Sequence, residues 1–461
     1  MTERILVVDA LSAGTGQRTS SRDSIGCGPR TVAGIFEKHD LACRIHRVES
    51  ILAKHGLLQK FDHLAVSAMT MDWVATQKLV KMWRQTKPKG NVIIGGPIAA
   101  EPERVLKEIR PDIVVIGEGE ATLDDLLKQG FLNGSAPLSE INGIAFTQSN
   151  RHVVTRTRSL LSSVEFSESH TPSTVRIVDY PTYQASKVYV EILRGCSNFR
   201  RTHLPLPDGS ECTDCSNCDS DDVHVRMDCP ENIPPGCGFC SVPGTWGPPR
   251  SRSTDSIIRE VRELVDLDVH RIVLEAPGFL DYMRGEEPLT DPCSPPANLV
   301  AIRRLLDGLN SISQVQEGKV HIAIENMKAC LFTEDVAKTL QESMISSSPN
   351  IGLETGSDYH MKQIGKCGSS DDVIRAVNIA QKFGMKPFVY LIYGLPGEDD
   401  ETIKQSIRMM QEASEAGAER IILYGFRALP GSAFADFPES STRDERAIRL
   451  RKEAERINRK K

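Results

Sequence analysis

Seven of the chain's twelve cysteines, Cys196, Cys212, Cys215, Cys218, Cys229, Cys237 and Cys240, lie between positions 196 and 240. In a small secreted domain such density would mean disulfides, but in a chain of 461 residues it points to metal or redox chemistry. Thiolates suit iron–sulfur clusters and zinc alike. Arg194-Gly195-Cys196 follows a strand-like segment, and after forty intervening residues comes Gly236-Cys237-Gly238-Phe239-Cys240. Three thiolates can hold three irons of a 4Fe–4S cube and leave the fourth iron open. Between them, Cys212-x-x-Cys215-x-x-Cys218 and then Cys229-Pro230 put four thiolates in one loop. These fit a structural zinc ion, an auxiliary cluster, or free or redox thiols. Cys27, Cys43, Cys293, Cys330 and Cys367 are scattered and read as ordinary buried or partly exposed thiols.

The elements that must position these residues come in two runs of strand and helix. Apolar runs at 5–8, 64–67, 92–94 and 113–116 alternate with amphipathic stretches near 28–38, 73–86, 101–109 and 121–128. That is the pattern of a doubly wound α/β sheet. Gly95-Gly96-Pro97 and Gly117-Glu118-Gly119-Glu120 end two strands at the carboxyl edge, where such sheets bind ligands. Residues 136–186 form a connector, with 144–146 as a further strand or hairpin and 159–173 as a loop. From 188 a second alternation begins. Strands are expected at 188–193, 271–275, 319–325, 350–354, 386–393 and 419–425, and helices near 253–267, 297–308, 333–343, 371–384 and 400–416. Six such units suggest a partial parallel barrel with its chemistry at the strands' carboxyl ends. The last segment, 442–461, reads as a helix capped by Thr442 with Glu445, with nine basic residues against four acidic. A solvated face is the plainer reading of that charge, and a docking surface for an acidic partner is the other. The expected domains are 1–135, a connector 136–186, a barrel 187–436 with a Cys-rich insertion 197–236, and a basic helix 437–461.

Composition narrows the field. A formal net charge of -6 gives no reason to expect a nucleic-acid partner. No apolar run approaches the roughly 18 residues of a membrane span, and the amino terminus runs into a strand without a signal-peptide core. A cytoplasmic location is the expectation.

Arg194-Gly195-Cys196 with Cys237-x-x-Cys240 resembles the RGC…C-x-x-C signature of radical S-adenosylmethionine (SAM) enzymes. Further segments agree in order and spacing. Glu325-Asn326 ends a barrel strand, and Gly352-Leu353-Glu354-Thr355-Gly356-Ser357 looks like the family's Gly-(Ile/Leu)-Glu-(Ser/Thr)-Gly-Ser segment. Asp371-Asp372-Val373 opens a helix, and Gly394-Leu395-Pro396-Gly397-Glu398 looks like its Gly-Leu-Pro-Gly-Glu turn. With the glycine-ended sheet in front, residues 1–435 resemble cobalamin-dependent radical SAM enzymes. The implied fold is α/β: an N-terminal doubly wound, cobalamin-binding-type Rossmann-like sheet followed by a partial (β/α)6 radical SAM barrel. The departure is the forty-residue insertion, where the family usually has three residues between its first two ligand cysteines. It leaves open whether Cys196 or another cysteine is the third ligand; Cys196 is favoured because it directly follows a barrel strand.

The resemblance implies a 4Fe–4S cluster on Cys196, Cys237 and Cys240, with SAM at the open iron. Glu325, Glu354 and Ser357 would bond its ribose or methionyl groups, and the Gly394 turn would shape the adenine pocket. Cobalamin would lie on the first domain over the barrel mouth, touched by Met69, Thr70 and Trp73 below and by Gly95, Gly96, Gly117 and Glu118 at the sheet edge. The Asp-x-His-x-x-Gly motif of histidine-bound cobalamin is lacking, since Asp222-Val223-His224 and Asp268-Val269-His270 have no such glycine and fall outside the domain. Tyr390 and Tyr393 are candidates to relay a proton or hydrogen atom. The plainer alternatives are capping or solvated groups for the glutamates and serine, core packing for Met69 and Trp73, and aromatic packing for the tyrosines.

Three functions follow in order. The first is a C-methyltransferase that uses a 5′-deoxyadenosyl radical and methylcobalamin on an unactivated carbon of a peptide, protein or small molecule, with a low-potential electron donor as partner. The chain also resembles archaeal members that methylate methyl-coenzyme M reductase, including at a glutamine carbon. The second keeps the radical SAM core for ring formation, rearrangement or carbon–carbon coupling. The third is a zinc-stabilised binding module without catalysis.

Overall fold

The structure is a computed structural model that describes residues 4–19, 21–343 and 346–460. It divides into two units. The first holds the chain up to Val190 together with Asp255–Ile272; the second holds Glu191–Thr254 and the chain from Val273 onward.

In the first unit the apolar runs are buried strands, Arg4–Asp9, His63–Ser67, Val92–Gly95 and Ile113–Val115, all parallel. A strand the apolar pattern did not reveal, Ala42–Arg47, pairs in parallel with Arg4–Asp9 at the edge of the sheet. Its residues alternate between exposed and buried, because an edge strand needs only one apolar face. On the other edge the hairpin Ile144–Gln148 and Arg151–Val154 adds two antiparallel strands. In order of appearance the parallel strands stand 2-1-3-4-5, so the sheet reverses direction between Arg4–Asp9 and His63–Ser67. The crevice of a doubly wound sheet opens at that switch, between the loops after Asp9 and Ser67.

Both loops are tied down by buried carboxylates. Asp9 accepts hydrogen bonds from the Leu11 amide (2.9 Å), from Arg18 Nη2 (2.7 Å) and from Tyr180 Oη (3.1 Å). Complete burial beside Asp9 pushes the Tyr180 phenol well above its ordinary value, so it remains a donor. Asp72 accepts from the Gly14 amide (2.8 Å) and the Met69 amide (2.9 Å), which joins the two loops across the switch. The helix Thr254–Asp266, expected as part of the barrel, belongs from Asp255 onward with the first unit. The reason is electrostatic. Arg30 Nη1 meets Glu260 Oε1 at 2.8 Å with both side chains buried, and Arg30 also donates to the Tyr189 carbonyl (2.6 Å).

In the second unit, strands appear at the expected barrel positions. Ile192 donates to the Glu275 carbonyl (2.9 Å), so the chain entering at Glu191 lies beside the end of Arg271–Glu275. His321–Ile324 is followed by a parallel bridge from Met327 to Ile351. Asn350–Glu354, Phe388–Tyr393 and Arg420–Gly425 then run parallel in one sheet. Helices Leu299–Asn310, Glu334–Glu342, Ser370–Lys382 and Asp400–Glu415 alternate with these strands. The final helix is Glu445–Asn458, and its cap is Asp444, which accepts from the amides of Arg446 and Ala447, rather than Thr442. It docks through Ala447, Leu450, Ala454 and Ile457, and Asn458 bonds both the amide and the carbonyl of Ile421 (3.0 and 2.8 Å). No helix among the described residues is long and apolar enough to cross a membrane.

Removing the Asp9 charge would leave the buried Arg18 with only Glu49, 3.5 Å from its Nε, as an anion. Asp9→Asn is therefore expected to cost about 3–5 kcal/mol of stability. Urea unfolding of the variant measures this, and a loss under about 1 kcal/mol would contradict the assigned role.

Candidate active site

The loop that carries Cys237 and Cys240 is fixed by backbone hydrogen bonds to three separate segments. Gly236 donates to Arg200 O (2.7 Å), Gly238 to Ile364 O (2.7 Å), and Phe434 donates to Gly238 O (2.8 Å). The turn closes with Cys240 donating to Cys237 O at 2.8 Å. Glycine is required at 238, because a Cβ there would enter the Phe434 ring. Cys196 is brought alongside from the strand end, its amide bonded to Gly247 O at 3.1 Å. Beyond the effect of burial, Cys367, Cys240 and Cys196 each raise the pKa of Cys237, and Cys196 raises that of Cys240, so these thiols lie near one another. Burial pushes Cys237 and Cys196 up and lifts Cys240 to about 12. Such thiols stay protonated until a metal draws them into thiolates. Each also keeps part of its surface open. Three recessed, reachable thiols, two on this loop and one just beyond the strand Leu193–Arg194, fit the ligand set of a 4Fe–4S cluster.

Asn198, which carries no motif signal, supplies polar donors to this sulfur set. Its Nδ2 donates to Cys237 Sγ (3.3 Å) and Gly365 O (2.9 Å), and its amide donates to Cys196 Sγ (3.5 Å). Next to Cys196, Ser197 Oγ donates to Asp281 (3.0 Å). Asp281 is wholly buried between Arg284 (2.8 Å) and Lys328 (2.6 Å). Burial alone would raise the Asp281 carboxyl, but the charges of Lys328 and Arg284 hold it below its usual range. Burial would likewise lower Lys328, yet Asp281, with Cys196 and Cys367, raises it. The result is an ion network directly behind Cys196.

Glu354 ends its strand with φ +62°, a left-handed conformation that strains a non-glycine residue. The register shifts between Gly352 and Glu354, and this bulge re-aims the side chain; its carboxylate sits 3.5 Å from Lys366 Nζ. Glu325 follows directly on its own barrel strand and is half-buried. Ser357 differs from expectation. It is buried and its Oγ accepts the His360 amide (3.4 Å), so it caps the helix Asp358–Gln363 and does not face the opening. His360 braces this segment against the next motif, with Nε2 2.8 Å from Pro396 O and Nδ1 3.2 Å from Thr355 Oγ1. Burial lowers its pKa, so it acts as a neutral cross-link. The Gly394 amide, at φ +74°, donates to both oxygens of Glu398 (3.2 and 3.1 Å). Burial outweighs those bonds and pushes the Glu398 carboxyl up to about 7. Tyr390 lies on the half-exposed face of its strand and stacks on Tyr424, ring centroids 6.0 Å apart. Tyr393 is buried and its hydroxyl packs against Gly425, so it is a packing residue, contrary to the relay role.

Of the four insertion cysteines, Cys212 has its pKa raised by burial and further by Cys218 and Cys215, which lie near it, and Cys212 and Cys229 share one apolar cluster. Among the described residues Cys212 approaches His203 and Asp214, their ligand atoms all within 4.8 Å of one another, while Cys215 is exposed. Cys218 lies 3.7 Å from Arg201 Nη1. Cys212 and Cys229 pack against the apolar cluster of Ile233, Ile364, Leu395 and Phe434. The insertion is held by Arg201, which donates to the carbonyls of Arg226 (2.7 Å) and Met227 (2.8 Å). Three of the five scattered cysteines also converge. Cys293 and Cys330 are disulfide-bonded, and Cys367 Sγ lies within 4.8 Å of both.

In the first unit, Gly96 has φ +89°, and a Cβ there would meet Ala68 O at 2.7 Å, so the strand-end turn is closed by glycine. Gly95 pairs with Ser67 across the sheet, and Gly117, at φ +70°, borders open space. Met69 and Thr70 form the turn that Asp72 secures, and Thr70 Oγ1 donates to Pro97 O (3.4 Å). Two residues have structural work instead of the expected ligand contacts. Trp73 donates to Glu108 (3.0 Å) and stacks under Arg104 (4.2 Å), and Glu118 is buried, accepting the Leu161 amide (2.7 Å). The glycine-built edge and a turn of Met69, Thr70 and Met71, without histidine, fit a broad planar cofactor bound without a histidine ligand.

Comparison with known proteins bears on both units. The B12 binding domain profile matches residues 23–127 and the Radical SAM superfamily profile matches residues 228–410. An uncharacterized protein of Methanopyrus kandleri is 41% identical over 98% of this chain and 82% of its own length. One of Methanocaldococcus jannaschii is 38% identical over 99% of this chain and 85% of its own. Among solved structures, the radical SAM methyltransferase TsrM of Kitasatospora setae, with cobalamin and a 4Fe–4S cluster bound, shares the fold. Its TM-score is 0.64 at 12% identity, covering 94% of this chain and 74% of that one. The cobalamin-dependent SAM radical enzyme OxsB matches with TM-score 0.63 at 15% identity, over 89% and 52%.

Two outcomes test this geometry. Hydrogen bonds to cluster sulfurs raise the reduction potential, so Asn198→Leu is expected to lower it by roughly tens of millivolts. Redox titration of the reconstituted protein followed by electron paramagnetic resonance reads the shift, and an unchanged potential would remove Asn198 from the site. The raised Glu398 carboxyl stabilises the fold fully below the ordinary carboxylate range, and that contribution is lost as pH rises through about 7. Glu398→Gln should flatten the fall in melting temperature between about pH 5 and 8. An identical slope in the variant would show that another group titrates there.

Proposed function

Because the chain belongs to the radical SAM superfamily and carries a B12 binding domain ahead of its radical SAM domain, we propose that it is a C-methyltransferase acting on an unactivated carbon. The observation that carries the reading is the convergence of Cys196 with Cys237 and Cys240 of the loop, in a chain whose other unit has a glycine-built sheet edge. The cofactors are a 4Fe–4S cluster, SAM and cobalamin, which together supply reductive SAM cleavage and a transferable methyl group.

The protein's own residues have distinct parts in this. Cys196, Cys237 and Cys240 hold three irons, which leaves the fourth for SAM. Asn198 hydrogen-bonds two of the sulfurs, and the Lys328 and Lys366 ammonium groups offset the negative charge of the thiolates. Glu354, re-aimed by the bulge, and Glu325, on a neighbouring strand end, would bond SAM's polar groups. His360 holds the two motif segments at a constant spacing. Tyr390, half-exposed beside Tyr424, is the candidate for hydrogen relay. A low-potential electron donor is the required partner. A peptide or protein side chain is the substrate class, and a glutamine of methyl-coenzyme M reductase is the first to test, since both relatives above come from archaea of methanogenic name.

The experiment is anaerobic reconstitution with iron, sulfide and cobalamin, followed by metal analysis and turnover with SAM and a reductant. The expected result is about four irons bound at the three-cysteine site, one cobalt per chain, and both 5′-deoxyadenosine and S-adenosylhomocysteine as products. 5′-Deoxyadenosine without S-adenosylhomocysteine, from protein that holds no cobalt, would move the chain to ring formation, rearrangement or coupling. Zinc alone with no SAM cleavage would end the radical reading. Cys240→Ala should abolish cleavage, and cleavage at the unaltered rate would exclude that cysteine as a ligand.

A further inference from the structure

Cys293, Cys330 and Cys367 come from three separate parts of the second unit. Cys293 sits in a loop whose amide bonds Asp291 (2.9 Å). Cys330 lies on the turn Ala329–Leu331, its thiol side 3.6 Å from Pro292 O. Cys367 follows the helix Asp358–Gln363. Chain distances of 37 residues between each neighbouring pair make their meeting a tertiary event. All three ligand atoms lie within 4.8 Å of one another.

Two cysteines suffice for a structural disulfide; the third has no part in one. We infer that in the working, reduced protein these three thiols form a mononuclear thiolate metal centre, with zinc as the occupant, bordering the Cys196 and Cys237 side of the radical SAM cluster site without sharing its ligands. Tetrahedral zinc with bonds of about 2.3 Å sets its sulfurs about 3.8 Å apart, a spacing the set can reach once the Cys293–Cys330 bond is reduced and those two sulfurs separate. A cubane spreads its thiolates over three irons and needs a wider set. A disulfide here does not persist beside a cluster that must be reduced at low potential, because thiols are kept reduced where such reductants operate. In this one respect the inference rests on the proposed radical SAM chemistry. Three thiolates leave one tetrahedral position for water or another external ligand. The centre ties the 291–295 loop, the 328–331 turn and the 365–368 turn together. Those segments carry the groups around the cluster: Asp291 O and Pro295 O receive Arg284, Lys328 pairs with Asp281, and Gly365 O receives Asn198.

The test is zinc content, by elemental analysis, of protein purified anaerobically under reductant, with the radical SAM cluster reconstituted and no cobalamin added. Wild type is compared with Cys293→Ser, Cys367→Ser and, as control for the insertion, Cys212→Ser. The expected result is a loss of about one zinc per chain in the first two variants and none in the control, with four irons retained throughout. Alkylation mapping of wild type covers the case in which a variant does not fold: Cys293, Cys330 and Cys367 should be protected with zinc and become reactive together after chelation. Equal zinc in wild type and Cys367→Ser, or a Cys293–Cys330 disulfide that survives in the reduced protein, would overturn the inference. Loss of about four irons with Cys367→Ser would overturn it too, by making the site a cluster. Absence of methyl transfer or of SAM cleavage alters none of these readings, so the two proposals fail separately.

Discussion

The second unit depends on the burial of one carboxylate. Asp281 has no exposed side-chain surface, and an unpaired anion there would not be tolerated. It is neutralised by Lys328 and Arg284 and hydrogen-bonded by Ser197. Each of those partners belongs to a segment that bears sulfur ligands or their support. Ser197 follows Cys196, Arg284 reaches the carbonyls of Asp291 and Pro295 on either side of Cys293, and Lys328 precedes Cys330 by two residues. A single charge requirement therefore sets where two groups of cysteines stand.

The first unit uses the same device for another purpose. Asp9 and Asp72 are buried at the carboxyl edge of the sheet, and both spend their acceptor capacity on loop amides and buried donors. An open α/β sheet presents its ligand crevice at the strand-order reversal, and loops at such a place must be held without filling it. Side-chain anchors from below do this, and glycines at 95, 96 and 117 leave the surface above without side chains. In both units, then, buried carboxylates organise backbone, while the groups suited to meet cofactors remain thiols, glycines and partly exposed residues such as Glu354.

Sequence and structure part at identifiable places. The helices and the core strands were legible because burial on a periodic face leaves a pattern in residue order. The edge strand Ala42–Arg47 was not, since half its residues face solvent and its apolar content is low. The insertion's Cys-x-x-Cys-x-x-Cys is a local pattern, but what anchors it, Arg201 and the apolar packing of Cys212 and Cys229, is tertiary. Ser357 and Glu118 carried the expected residue types, but backbone amides had prior use for their oxygens.

What the residue order alone determined was the pairing of a doubly wound sheet with a barrel and the motif that singles out Cys237 and Cys240 as ligand candidates. Local periodicity and short motifs are properties of neighbours in the chain, so they survive without coordinates. The tertiary structure alone decided that Asn198 bonds the sulfurs of Cys196 and Cys237. It also decided that the helix Thr254–Asp266 serves mainly the first unit and that Cys293, Cys330 and Cys367 meet. These are contacts between residues far apart in sequence, set by which buried charges must find one another, and no local pattern records that.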